Sequence, residues 1–203
     1  MPHFYFETEL SPRRVCGVDE AGRGPWAGPV VAAAVLFPSA AHIPEGLNDS
    51  KKLTASARDR LFSALQSCGA ALGIGIATAE EIDQLNIWGA TALAMSRAVA
   101  ELNPPPDVAL IDGNRLPHSL PCPARAIIGG DGVSLSIAAA SILAKVTRDR
   151  MMEEYAADYP AYGFARHKGY GTAQHQAALA AHGPCPIHRR SFAPIRALLE
   201  VAA

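Results

Sequence analysis

The sequence predicts an α/β protein: a mixed sheet, three antiparallel strands and then parallel ones, flanked by helices, with a small helical part at the C-terminus. Three observations predict it. Three strand-like apolar segments come early and close together, the first two joined by a glycine-rich turn. Strand and helix patterns then alternate, as parallel pairing requires. After about Tyr162 only short helical patterns remain.

The elements follow in order. Val15 to Val18 reads as a short strand and Pro29 to Phe37, "PVVAAAVLF", as a buried one; the glycine-rich turn between them predicts a hairpin. "LNDSKKL" is polar and reads as a loop. Thr54 can cap a helix that carries Leu61, Phe62 and Leu65 on one side. "ALGIGIA" is a third strand. Thr78 and Glu81 form a capping box that opens a helical region running through Ala90 to Leu102, ended by "NPPP". "DVALI" is a strand that stops at Asp112-Gly113, and "ARAII" is a fifth, stopping at Gly129-Gly130-Asp131. "SLSIAAASILAKVTRDRM" is a strong helix; shorter ones fit Ala173 to Ala181 and Ala193 to Val201.

The chain has 203 residues, enough for one structural unit: residues 1–162 as the main domain and 163–203 as a helical appendage. Runs such as "VVAAAVLF" stop well short of the roughly 18 apolar residues of a membrane span. The N-terminus lacks the basic and apolar pattern of a secretory signal. Cys16, Cys68, Cys122 and Cys185 are far apart and read as reduced thiols of a cytoplasmic protein. Net charge is −1, but from Gly163 onward there are five basic residues and one acid, and before it 13 basic and 18 acidic. A basic end beside an acidic body suits a polyanion held over a carboxylate site, although such asymmetry also arises by chance.

Asp19, Asp112 and Asp131 each follow an apolar strand, and functional residues of parallel sheets gather at strand C-terminal ends. If those strands are neighbours, the acids converge, with Glu20 as a fourth. Such carboxylates repel one another unless protonated or joined by a hard divalent cation. Taken singly, each Asp is equally a turn-forming residue. Asp19 and Glu20 point to opposite faces of a regular strand, so a shared ion requires a break, which "AGRGP" could supply.

Ser141, Lys145 and Arg148 share one polar stripe of the long helix, which suits either a phosphate or plain solvation. Lys51 and Lys52 in "SKKL" carry the same ambiguity. "ARHKGYGT" sets Tyr170 between glycines beside Arg166, His167 and Lys168, a composition suited to stacking on a base or sugar. His167 and His175 read as surface histidines. A zinc set from His175, His182, Cys185 and His188 is disfavoured by two intervening prolines and the absence of a second tight pair. There is no Walker-type phosphate loop and no GxSxG elbow.

Read together, "DEAGRGPWAGPVV", "LNDSKKL", "EIDQLNI", "LIDGN", "GDGVSLSIAAASILAKVTRDRMM", "YPAYGFARHKGYGT" and "GPCPIHRRSF" resemble, in order, the motifs of bacterial type 2 ribonucleases H. The resemblance runs from about Val15 to about Phe192. It implies a ribonuclease H-like fold and an endonuclease that cuts the RNA strand of RNA–DNA hybrids and incises 5′ of ribonucleotides embedded in duplex DNA. It implies Mn²⁺ or Mg²⁺ held by Asp19, Glu20, Asp112 and Asp131. It assigns ribose sensing to Gly22, Arg23 and Gly24 and stacking to Tyr170; by residue type and position Lys51, Lys52, Ser141, Lys145 and Lys168 are further candidate substrate contacts. One departure stands out: Gly129 occupies a place where the family usually has lysine. A monomer is the default expectation. The alternatives are a non-catalytic nucleic-acid-binding module or another metal nuclease on the same fold.

Overall fold

The computed structural model describes residues 1–201. A short helix, α1 (Tyr5–Glu9), precedes the first hairpin, β1 (Val15–Ala21) and β2 (Val30–Leu36); α2 (Ala55–Ser67) then leads to β3 (Ala71–Ala77). The alternating half is α3 (Ala79–Ala100), β4 (Val108–Asp112), β5 (Ala124–Ile127) and α4 (Leu135–Asp158). It ends in α5 (Phe164–His167), α6 (Ala173–His182) and α7 (Ala193–Val201). The sheet order is β3-β2-β1-β4-β5; β1, β2 and β3 pair antiparallel, while β4 joins β1 and β5 joins β4 in parallel.

The sheet is covered on both faces, which explains the unbroken apolar run of β2: all seven of its residues are buried. Cys16, Val18, Ala32 and Ala34 meet Ala94, Met95 and Ala98 of α3, while Ala33 and Val35 meet Leu61, Phe62 and Leu65 of α2 and Ala139 to Leu143 of α4. Thr54 and Ser134 cap α2 and α4 through their hydroxyls, and Thr78 with Glu81 closes a capping box on α3.

Four details differ from the sequence reading. Strand β1 runs on through Asp19 and Glu20 to Ala21, which pairs with Val31. Helix α3 is interrupted at Asn86 (φ 57°), whose Oδ1 accepts the Trp88 and Gly89 amides and restarts the helix as a cap. Helix α4 extends beyond Met151 to Asp158. Helix α1 carries Glu7, whose buried Oε1 accepts bonds from the Ser134 hydroxyl (2.7 Å) and the Ser136 amide (3.0 Å), tying the N-terminus of the chain to that of α4.

The C-terminal helices bury their own small core. Phe164, Leu179 and Ile195 pack with Met152 from the end of α4 and Ala27 from the β1–β2 loop. The appendage therefore rests on the turn that follows the two adjacent acids.

Candidate active site

The register of β1 against β4 pairs Val18 with Ile111, so Asp19 and Asp112 follow side by side on neighbouring parallel strands. Beyond β5 the chain turns at Gly129 (φ 64°) into a 3-10 turn, Gly130–Gly132, that carries Asp131. The Gly130 amide donates to Asp112 Oδ1 at 2.6 Å and fixes that turn to the strand end. One carboxylate oxygen from each of Asp19, Asp112 and Asp131 lies within 4.8 Å of the others.

Their environment opposes negative charge. Burial, then Glu20 and Asp112, push the Asp19 carboxyl well above its usual range. Burial, then Asp112 and Asp49, raise Asp131, with Lys51 pulling the other way. Burial also raises Glu20 against the opposing charge of Arg23. A tight set of hard oxygen donors reluctant to ionise together fits a divalent cation such as Mg²⁺ or Mn²⁺.

Glu20 lies outside the three-acid group. The strand break comes at Gly22 (φ 96°), after Glu20 rather than before it. Alternation along β1 turns Asp19 toward α4, yet at this strand end Glu20 lines the same cleft as Asp19, close enough to feel Asp112 and Lys51, and its carboxylate accepts from Arg23 Nη1 at 3.5 Å. Arg23 in turn approaches the Trp88 ring, 5.9 Å from its centroid.

The cleft beside the acids has a volume of about 370 Å³ and includes Gly22, Arg23, Gly24, Lys51, Lys145 and Tyr170 in its lining. The Gly24 position is open, with the Tyr170 ring 3.6 Å from where a β-carbon would stand. The "LNDSKKL" loop is pinned in place. Asp49 accepts the Lys51 amide, the Ser50 hydroxyl bonds that of Ser141 at 2.8 Å, and Lys51 Nζ lies 3.6 Å from Asp131. Lys51 thus places a cation near the acid that Gly129 leaves without a neighbouring lysine. Lys52 pairs with Asp49 at 3.9 Å, Lys145 with Asp149 at 2.8 Å, and Lys168 with Glu153 at 2.6 Å. Lys168 faces a second groove, about 670 Å³, which also holds Lys145, Arg150 and Arg166 but none of the clustered acids.

The polar stripe of α4 is not a solvated face: Ser141 and Arg148 are both buried. Arg148 donates to the carbonyls of Pro29 (2.9 Å), Lys168 (3.1 Å) and Ala27 (3.2 Å). Arg189, which the sequence reading passed over, donates to the carbonyls of Gly22, Arg23 (3.0 Å), Gly28 (2.9 Å) and Pro29 (3.1 Å). Two buried guanidinium groups thereby hold the backbone of the whole glycine-rich turn. Burial pushes their pKa values down, to about 10 for Arg148 and about 9 for Arg189. No sequence signal marks Arg189, because its partners are carbonyls, which every residue has. The reading of His167 and His175 as surface residues is corrected, since both are buried beneath the Tyr170 loop beside Phe164. Trp26 lies against Gly171 and the His175 ring.

The Ribonuclease HII family profile matches residues 16–195. The ribonuclease HII of Parvibaculum lavamentivorans is 60% identical over 202 residues, covering 98% of this chain and 74% of that protein. That of Geobacillus kaustophilus is 54% identical over 200 residues, covering 97% and 76%. The crystal structure of ribonuclease H2 from Pyrococcus horikoshii superposes with a TM-score of 0.74 at 28% identity, over 93% of this chain and 98% of that one. In fold alone the chain also resembles ribonuclease HII from Archaeoglobus fulgidus, solved in complex with PCNA, with a TM-score of 0.76 at 23% identity over 88% and 95% of the two chains. Profile, relatives and fold agree: the chain belongs to the ribonuclease HII family and is a ribonuclease of that metal-dependent hydrolase class.

Proposed function

We propose that this protein cuts the RNA strand of RNA–DNA hybrids and incises 5′ of single ribonucleotides embedded in duplex DNA, leaving 3′-hydroxyl and 5′-phosphate ends. The observation that carries the reading is the convergence of Asp19, Asp112 and Asp131 beside a turn that presents bare backbone at Gly24.

Asp19, Asp112 and Asp131 would hold the divalent ions, Mg²⁺ or Mn²⁺, with Glu20 contributing from the edge of the same cleft. Bound there, such ions supply the Lewis acidity that activates an attacking water and stabilises a leaving 3′-oxygen. The rest is the work of the chain. The glycine turn approaches the ribose closely because no β-carbon intervenes, and its amides and carbonyls can test the 2′-hydroxyl, which both donates and accepts. Tyr170, exposed over Gly24, offers a flat surface to the neighbouring sugar or base. Lys51, Lys52, Lys145 and Lys168 supply positive charge for the flanking phosphates, their present carboxylate partners giving way to the polyanion. Ser141 acts by holding Ser50, and through it the Lys51 loop.

The test compares a duplex carrying one ribonucleotide with an all-DNA duplex of the same sequence, in Mn²⁺ and in Mg²⁺. Cleavage only at the 5′ side of the ribonucleotide is expected. Equal cutting of both duplexes would refute ribose sensing, and binding without any cleavage would leave a non-catalytic module.

A further inference from the structure

His167, His175 and His188 are buried and take no part in the acid cluster. Their hydrogen bonds determine where their protons sit. His188 Nδ1 receives the Cys185 amide at 2.9 Å and lies 3.1 Å from the Cys185 thiol, two donors, against one acceptor, the Cys185 carbonyl, at 3.2 Å; the shorter contact, from an N–H that can only donate, assigns this nitrogen no proton. Neutral His188 must then be protonated on Nε2. That atom lies 2.9 Å from His175 Nε2, so His188 donates and His175 accepts. His175 keeps its own proton on Nδ1, which faces the Tyr170 carbonyl at 3.0 Å. A carbonyl only accepts, so the assignment satisfies the three shortest contacts of the chain and leaves only the longer, 3.2 Å approach of the Cys185 carbonyl to His188 Nδ1 unmatched.

The result is a one-way chain from the Cys185 amide through two imidazoles to the backbone of Tyr170. His167 holds the other side of the same loop. It stacks on His175 at 4.6 Å, takes the Gly169 amide on Nδ1 at 3.2 Å, and donates from Nε2 to the Tyr162 carbonyl at 2.7 Å. Burial favours the neutral rings of His188, pushed down to about 4, and of His175, pushed down as well.

We propose that His175 and His188 are positioning residues for Tyr170, holding its backbone beside the Gly22–Gly24 turn through a relay that closes only when both rings are neutral. The proposal rests on the reading of Tyr170 as a substrate contact. A proton added to His175 Nε2 would set two N–H groups face to face, and one added to His188 Nδ1 would confront the Cys185 amide. The titratable groups around the pair are His167 from α5, Tyr162, Cys185 and, behind Tyr162 at 6.2 Å, His182 of α6. Among the described residues no carboxylate bonds either ring. The nearest formal charges along the chain point away: Arg189 toward the Gly22 to Pro29 carbonyls and Lys168 toward Glu153.

Two measurements test this. Nitrogen-15 NMR of the imidazoles in the wild-type protein at neutral pH should show His188 protonated only on Nε2 and His175 only on Nδ1; the opposite tautomers would overturn the relay. Equilibrium binding of the one-ribonucleotide duplex, without divalent ions, is then compared for wild type, His188→Leu, Tyr170→Ala and the double variant. His188→Leu should weaken binding by about five- to tenfold, the worth of one hydrogen bond, and should have no further effect once Tyr170 is alanine. His188→Gln, whose amide can donate from the same reach, should recover most of the affinity. Equal losses in both backgrounds would overturn the positioning role. Wild-type protein that does not cut the ribonucleotide duplex sinks the functional reading instead, and the tautomers then decide the relay by themselves.

Discussion

Asp19 is buried at a strand end between Glu20 and Asp112, and each neighbour raises the cost of its charge. A carboxyl whose pKa is raised on folding contributes stability fully present below its unfolded value and lost as pH rises through the folded one. At neutral pH and without metal, the raised Asp19 carboxyl therefore costs the fold stability, whether as a buried charge or as a proton that the unfolded chain would release. Asp19→Asn should abolish cleavage, retain duplex binding, and raise the metal-free melting temperature by a few degrees, since each kcal/mol is worth about 2–4 °C at this size. Calorimetry with and without Mn²⁺ checks it: the ion should stabilise wild type and leave the variant nearly unmoved. The positions of Asp19, Asp112 and Asp131 were legible because each ends an apolar run, and the end of a strand is visible in sequence. The place of Glu20 was legible only as a conditional: β1 keeps pairing through Ala21 with Val31, yet Glu20 lines the same cleft as Asp19 at the strand end.

Two elements depend on partners that sequence spacing does not reveal. Glu7 lies on a five-residue helix with no periodicity to announce it, yet its carboxylate fastens the N-terminus of α4 through Ser134 and Ser136. Glu7→Ala should cost about 1–3 kcal/mol by leaving buried donors unpaired, read as a lower denaturant midpoint with an unchanged slope. The β1–β2 loop was recognised as glycine-rich, but what shapes it is Arg189, from 160 residues further along the chain, acting with Arg148. Arg189→Leu strips the carbonyls of Gly22, Arg23, Gly28 and Pro29 of a donor. It should lower stability by at least about 2 kcal/mol and lower cleavage of the single-ribonucleotide duplex more than that of a long hybrid, measured as kcat/KM on each. The capping residues Thr54 and Thr78 were easier to place, because a cap acts within three residues of itself.

Across the molecule, the buried histidines give stability an acid limit. His188 has its pKa lowered from 6.5 to about 4 on folding. The unfolded chain therefore binds the extra proton first, and this contribution is present above 6.5 and lost as pH falls toward about 4. Chemical denaturation between these limits should show falling stability in wild type and a flatter profile in His188→Gln. The mixed sheet and the full burial of β2 could be read from hydrophobic pattern alone, whereas the neighbourhood of β1, β4 and β5 was only a condition until their pairing was seen. How the basic C-terminal part seats on the acidic body could not, because its contacts are made by Met152, Phe164 and Ala27, ordinary core residues with no charge or motif to mark them.

The guanidinium clamp also has a consequence in time. A ribosome makes the Gly22–Gly24 turn well before Arg189, which follows Arg23 by 166 residues. Until Arg189 emerges, the acids can assemble while the turn beside them lacks its fastening. A chain truncated after Pro186 should be nicked by protease between Gly22 and Pro29 well before the untruncated chain is, and a slower rate of nicking in the truncated form would count against this order of maturation. Selectivity is then acquired by the nascent nuclease later than its acid cluster.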